Sequence, residues 1–223
     1  MKNNARKLLL LLILSLFEVV AHAGEDDLCI WTNVSFSKTY GKWSTGLISE
    51  YRHKIHEGVS KVDQYLARPW GAYKALPWLT LRYNMDLAAT SSGFTLRSIP
   101  EISSSFVTGN FSFALRQRVM TSWNLERGTQ VTILRTRLKM DYSILKTPLS
   151  VYCALEPYWC EYSNDGFAWF QKIRWYVGLN IKLLENLTFV PQYLCQAYHN
   201  HQGKYPRRTY DDHVIYITFL VKL

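Results

Sequence analysis

The chain has 223 residues, 15% of them aromatic, and a formal net charge of +9. This length suits a single domain, and no repeat, low-complexity tract or linker divides it. A basic balance points to nucleic acid or an anionic membrane as partner, and the first residues decide between them.

Lys2, Arg6 and Lys7 precede an apolar run from Leu8 to Phe17, and Ala21-His22-Ala23 is a small-x-small cleavage signal. Residues 1–23 therefore read as a secretory signal peptide cut after Ala23, with 24–223 as the mature domain. The apolar run is short for a membrane-spanning helix, and Gly24-Glu25-Asp26-Asp27 follows it. Cys29 lies too far beyond the run for a lipoprotein. Cleavage removes Lys2, Arg6, Lys7 and Glu18 and leaves a net charge of +7. A secreted chain argues against nucleic acid. No later stretch can cross a bilayer as a helix, so a mature membrane protein of this sequence must be a closed barrel.

The remaining chain reads as strands in succession, at about 28–38, 43–55, 62–74, 78–90, 94–106, 111–124, 130–144, 149–160, 168–184, 187–199 and 212–223. Tight joins such as Gly41-Lys42, Gly109-Asn110 and Glu185-Asn186 alternate with longer polar ones such as Asn124–Thr129 and Asn200–Asp211. Alternating tight turns and long loops belong to the two rims of an all-β, antiparallel transmembrane barrel. Bacterial single-chain barrels have even strand numbers. The segment 62–74 carries Arg68-Pro69-Trp70-Gly71, where proline disrupts a ladder. The reading is therefore about ten strands, with twelve as the runner-up.

Each strand alternates with a period of two. Over Lys172–Leu183 one parity is Ile173, Trp175, Val177, Leu179, Ile181 and Leu183, and the other is polar or small. The last segment alternates through Ile215, Ile217, Phe219, Val221 and Leu223, as a terminal barrel strand does, although it ends in leucine rather than an aromatic residue. If the apolar parity meets lipid, the polar parity directs Arg82, Asp86, Arg97, Glu101, Arg116, Arg118, Arg135, Arg137, Asp141, Glu156, Lys172 and Arg174 into the lumen. A soluble, lipocalin-like barrel would reverse this assignment.

Several segments together resemble the DUF2490 proteins, outer-membrane β-barrels common in Bacteroidetes. They are Trp31-Thr32; Lys42-Trp43-Ser44-x-Gly46-Leu47 before Glu50-Tyr51-Arg52; Tyr73-Lys74; Leu115-Arg116-Gln117-Arg118; Leu134-Arg135-Thr136-Arg137-Leu138; Glu156; Lys172-Ile173-Arg174 before Gly178; and His213-Val214-Ile215. The resemblance covers nearly the whole mature chain. It implies an outer-membrane barrel and brings no catalytic residue with it.

Two readings of the inward charges stand. Rings of Arg and Lys attract anions, so the lumen could pass small anionic solutes. Alternatively the charges pair as a plug in a structural or surface-binding barrel, because unpaired buried charges cost several kcal/mol each. A lipid-modifying enzyme is a third and weaker reading. His53, His56, His199, His201 and His213 form no recognisable pair with a serine, so no catalytic residue is assigned. The spacings of Cys29, Cys153, Cys160 and Cys195 match no zinc pattern, and no metal or cofactor is expected. The expected partners are outer-membrane lipid, lipopolysaccharide at the basic Lys204 to Arg208 loop, and the barrel-assembly machinery during biogenesis.

Overall fold

A computed structural model describes residues 28–56, 59–90, 93–164, 166–198 and 211–223. The signal-peptide segment, His199, His201 and the Lys204 to Arg208 loop lie outside the described residues.

The described residues form an all-β closed barrel. Its strands are β1 (Leu28–Tyr40), β2 (Trp43–His56), β3 (Val59–Leu76), β4 (Leu79–Thr90), β5 (Gly93–Thr108), β6 (Phe111–Asn124), β7 (Thr129–Ser143), β8 (Leu149–Ser163), β9 (Gly166–Leu184), β10 (Leu187–Tyr198) and β11 (Asp211–Lys222). Every strand pairs antiparallel with its sequence neighbour, and β1 closes on β11. That closing pair is parallel, with Cys29 opposite Val214 and Trp31 opposite Tyr216. An odd strand number requires this, since the first and last strands then run the same way.

Eleven strands among the described residues correct the expectation of ten or twelve. The segment doubted for its proline is β3, which at 18 residues is longer than the average strand. Proline removes one N–H and leaves the other edge of the strand intact. Pro69 pairs with Leu47 on β2. On the β4 side, no residues pair between Ala67↔Leu87 and Trp70↔Asn84.

The same arrangement recurs at each in-strand proline. Pro100 pairs with Tyr83 on β4, and the β5–β6 register is open between Ser98↔Thr121 and Glu101↔Arg118. Pro157 pairs with Ile173 on β9, and the β7–β8 register is open between Arg135↔Tyr158 and Leu138↔Leu155. Pro191 pairs with Ile217 on β11, and the β9–β10 register is open between Phe189↔Ile181 and Gln192↔Gly178.

The alternation determines which face meets which medium. Leu81, Tyr83, Met85 and Leu87 on β4 are exposed, whereas Asn84 and Asp86 between them are buried. On β9, Trp175 and Val177 are exposed while Arg174 and Tyr176 are buried. The apolar parity therefore faces outward and the polar parity inward, the reverse of a soluble barrel and the arrangement a bilayer requires. Exposed Tyr40, Trp43, Trp78, Phe106, Phe111 and Tyr142 lie toward the rim of tight turns. Exposed Phe94, Tyr162, Phe167 and Trp169 lie toward the opposite rim. These are the two aromatic girdles of a membrane barrel.

Two glycines admit aromatic rings into the interior. Gly46 stands opposite Trp70, and Gly178 opposite Tyr152. A Cβ on Gly46 would lie 2.6 Å from the Trp70 ring and 2.2 Å from the Phe36 carbonyl oxygen. A Cβ on Gly178 would lie 2.7 Å from the Tyr152 ring. Each ring covers the position its glycine leaves open.

Candidate functional site in the barrel interior

Side chains on strands that are not neighbours in the sheet can meet only across its concave face. Arg116 on β6 donates to Glu156 on β8 at 3.0 Å. Asn180 on β9 donates to Asp141 on β7 at 3.2 Å. Tyr216 on β11 donates to Glu50 on β2 at 2.5 Å. Tyr152 on β8 donates to Gln192 on β10. Strict alternation places the other members of these parities inside as well.

Four buried carboxylates organise the interior. Glu156 is 0% exposed and accepts from Arg116, from Arg135 at 3.0 Å and from the Tyr176 hydroxyl at 2.6 Å. Glu101 accepts from Arg118 Nε at 2.8 Å, with Arg118 Nη2 at 2.7 Å. Asp86 takes both prongs of Arg68, at 2.5 and 2.9 Å, and has Arg97 at 3.6 Å. Glu50 accepts from Arg52 at 2.6 Å and from Tyr216, whose hydroxyl in turn accepts from Asn33. Charge-assisted bonds of this kind offset the cost of removing the ions from water. Toward the rims, Asp141 pairs with Lys139 at 2.7 Å and Asp212 with Lys54 at 3.8 Å.

Cations nevertheless outnumber carboxylates. Among the described residues Arg82, Arg137, Lys172 and Arg174 have no carboxylate within ion-pair distance. Aromatic rings hold them instead. Arg82 lies 3.9 Å from the Trp70 ring, and Arg137 lies 4.3 Å from Tyr176. Lys172 sits between Tyr158 at 4.9 Å and Tyr198 at 4.8 Å. Arg174 lies 4.9 Å from Tyr158 and 5.3 Å from Trp31, and it donates to Gln196. A cation over a desolvated ring gains about 2 kcal/mol, while an unpaired buried charge costs several. The rings offset only part of that cost.

All twelve charges singled out in the sequence lie on this inner face. Reading by segment missed Glu50, Arg52, Lys54, Arg68 and Asp212, which have the same parity on β2, β3 and β11. It also missed the polar aromatics Tyr152, Tyr158 and Tyr216, whereas Tyr176 stood on the polar parity beside Arg174. Parity alone could have found the charges. The tyrosines resemble girdle residues until the register puts them inside.

His53 and His213 are hydrogen-bonded to the hydroxyls of Tyr51 and Tyr193. Cys29 is buried, while Cys153 is exposed on the outer face. Among the described residues no cluster of His, Cys, Asp and Glu could hold a metal ion.

With an apolar belt outside and a charged interior, the comparison that matters is with other barrels. A family model described as "Protein of unknown function (DUF2490)" matches residues 29–207. The chain belongs to the DUF2490 family. No curated protein sequence matches it. Among solved structures, the NanC porin aligns with a TM-score of 0.51 at 13% identity, over 86% of this chain and 99% of that one. The KdgM porin aligns with a TM-score of 0.47 at 18% identity, over 73% of this chain and 81% of that one. OmpT of Vibrio cholerae aligns with a TM-score of 0.42 at 12% identity, over 71% and 56%. The NanC likeness places this DUF2490 chain in the architecture of outer-membrane porin barrels.

Proposed function

We propose that this DUF2490 barrel resides in the outer membrane and passes small anionic solutes through a narrow, net-positive interior. The observation that carries this reading is the set of cations held by rings rather than carboxylates: Arg82, Arg137, Lys172 and Arg174. Among the described residues none of the four has a carboxylate within ion-pair distance. Rings of such residues lower the energy of an anion in a pore and raise that of a cation. Lipid and lipopolysaccharide surround the barrel in this reading, and the barrel-assembly machinery inserts it.

A plugged barrel is the second reading, supported by the complete burial of Glu156 among its three donors. Reconstitution of the purified protein into planar bilayers separates the two. The passage reading expects small single-channel steps and a reversal potential, under a potassium chloride gradient, of the sign for chloride. Silent bilayers in both polarities, with protein shown to be inserted, would leave the plugged barrel standing.

A further inference from the structure

Four arginines form a block on two adjacent strands. In the β6–β7 register Arg116 stands opposite Arg137, and Arg118 opposite Arg135. Like charges placed directly across a ladder destabilise the sheet, so two such pairs in succession need compensation. Two carboxylates border the block. Glu101 on β5 holds Arg118 at 2.7 Å, with Arg116 at 4.0 Å. Glu156 on β8 holds Arg116 and Arg135 at 3.0 Å each. Arg137 is within ion-pair distance of neither and lies over the Tyr176 ring, whose hydroxyl is already committed to Glu156.

The donors show the same shortfall as the charges. The Nε groups of Arg116, Arg135 and Arg137 are buried and meet no acceptor. Arg135 as a whole is only 8% exposed. A buried donor without an acceptor costs about 1–3 kcal/mol, and more when charged. The block is therefore short of both negative charge and acceptor atoms. A group that supplies both is a small oxyanion, and planar guanidinium forks match the geometry of carboxylate, phosphate and sulfate oxygens.

We propose that the arginine block is an oxyanion subsite, which binds the carboxylate, phosphate or sulfate group of a solute against Arg137 and the free edges of Arg116 and Arg135. The proposal deepens the anion-passage reading, since it names the chemical group that the interior selects. Binding and conduction are nevertheless measured separately.

The test uses the full mature chain in detergent micelles, with thermal unfolding followed in chloride and in inorganic phosphate at equal ionic strength. Phosphate should raise the melting temperature saturably, by roughly 3–6 °C at about tenfold excess over its dissociation constant. Arg137→Gln should melt at or above the wild type in chloride, because it relieves the Arg116 repulsion, and should lose the phosphate-dependent rise. Arg137→Lys retains the charge without the fork and should retain only part of the rise. Arg127→Gln, which removes an equal charge from the exposed β6–β7 turn, should keep all of it. Wild-type protein with no phosphate-specific rise, or Arg137→Gln that retains the full rise, overturns the proposal. Arg137→Gln too unstable to fold also overturns it, by making Arg137 a structural residue. Silent bilayers with the rise intact would reject passage and keep the subsite, whereas anion-selective conduction without the rise would reject the subsite alone.

Discussion

Glu156 accepts a 3.0 Å hydrogen bond from Arg135 across the part of the β7–β8 ladder that Pro157 leaves open. A side-chain ion pair thus spans a gap in the backbone bonding. The relationship repeats at two other prolines. Arg68, just before Pro69, reaches Asp86 across the β3–β4 gap. Glu101, just after Pro100, is reached by Arg118 at the edge of the β5–β6 gap. Interior ion pairs therefore join strands at three of the four places where a proline interrupts the ladder, the gap at Pro191 being the one without such a pair among the described residues.

Glu156 should be the most sensitive of these positions. Removing one partner from a buried charge network costs about 3–5 kcal/mol, and Glu156→Ala would leave Arg116, Arg135 and Tyr176 without their acceptor. Thermal unfolding in micelles should show a fall of about 10 °C, from the usual 2–4 °C per kcal/mol for a chain of this size. Glu156→Gln retains an acceptor oxygen and should lose less, about 1–3 kcal/mol. Equal losses for the two variants would contradict the role assigned to the carboxylate.

Replacing the proline and replacing its neighbouring charge should have very different consequences. Pro69→Ala restores an N–H in a strand that already pairs on its other side, so unfolding free energy should change by less than about 1 kcal/mol. Arg68→Ala leaves Asp86 buried and bereft of its bidentate partner, at a cost of about 3–5 kcal/mol. Chemical denaturation of the two variants side by side measures the difference. A larger loss at Pro69 than at Arg68 would show that the ladder, not the ion pair, holds β3 to β4.

Gly178→Ala should displace the Tyr152 ring and with it the Tyr152–Gln192 bond between β8 and β10. Forcing a methyl into such a contact costs about 1–3 kcal/mol. Gly46→Ala should cost at least as much, because its Cβ also meets the rigid Phe36 carbonyl. Gly71→Ala is the control, since nothing lies within 4 Å of its Cβ position. Heat-modifiable gel migration against temperature ranks the three.

The outward parity is testable at Leu138, which is 53% exposed. Leu138→Arg would place a charge in the apolar belt and should cost about 2–4 kcal/mol near the bilayer midplane. Folding yield into lipid vesicles should drop accordingly. The same substitution on a water-facing surface would change stability by less than about 0.5 kcal/mol, so an undiminished yield would rule out lipid at that face.

Strand positions, the two parities and the segregation of charge onto one of them were all legible in the residues. They depend on the period of two, which is a local property of extended backbone. Eleven candidate segments were visible too; the rule of even strand numbers argued against eleven, and the discount applied to Pro69 selected the segment to drop. That discount failed because a proline's missing N–H affects one edge of a strand, and which edge is a property of the sheet.

The tertiary structure alone decided the partners. Arg116 meets Glu156 40 residues away and two strands over, and Glu50 meets Tyr216 across the parallel seam. No sequence spacing encodes such contacts. They follow from register, curvature and closure, which are set by the whole sheet. The same applies to Arg137, one inward arginine among many in the sequence. Only the β6–β7 register places it opposite Arg116, with neither neighbouring glutamate within ion-pair distance.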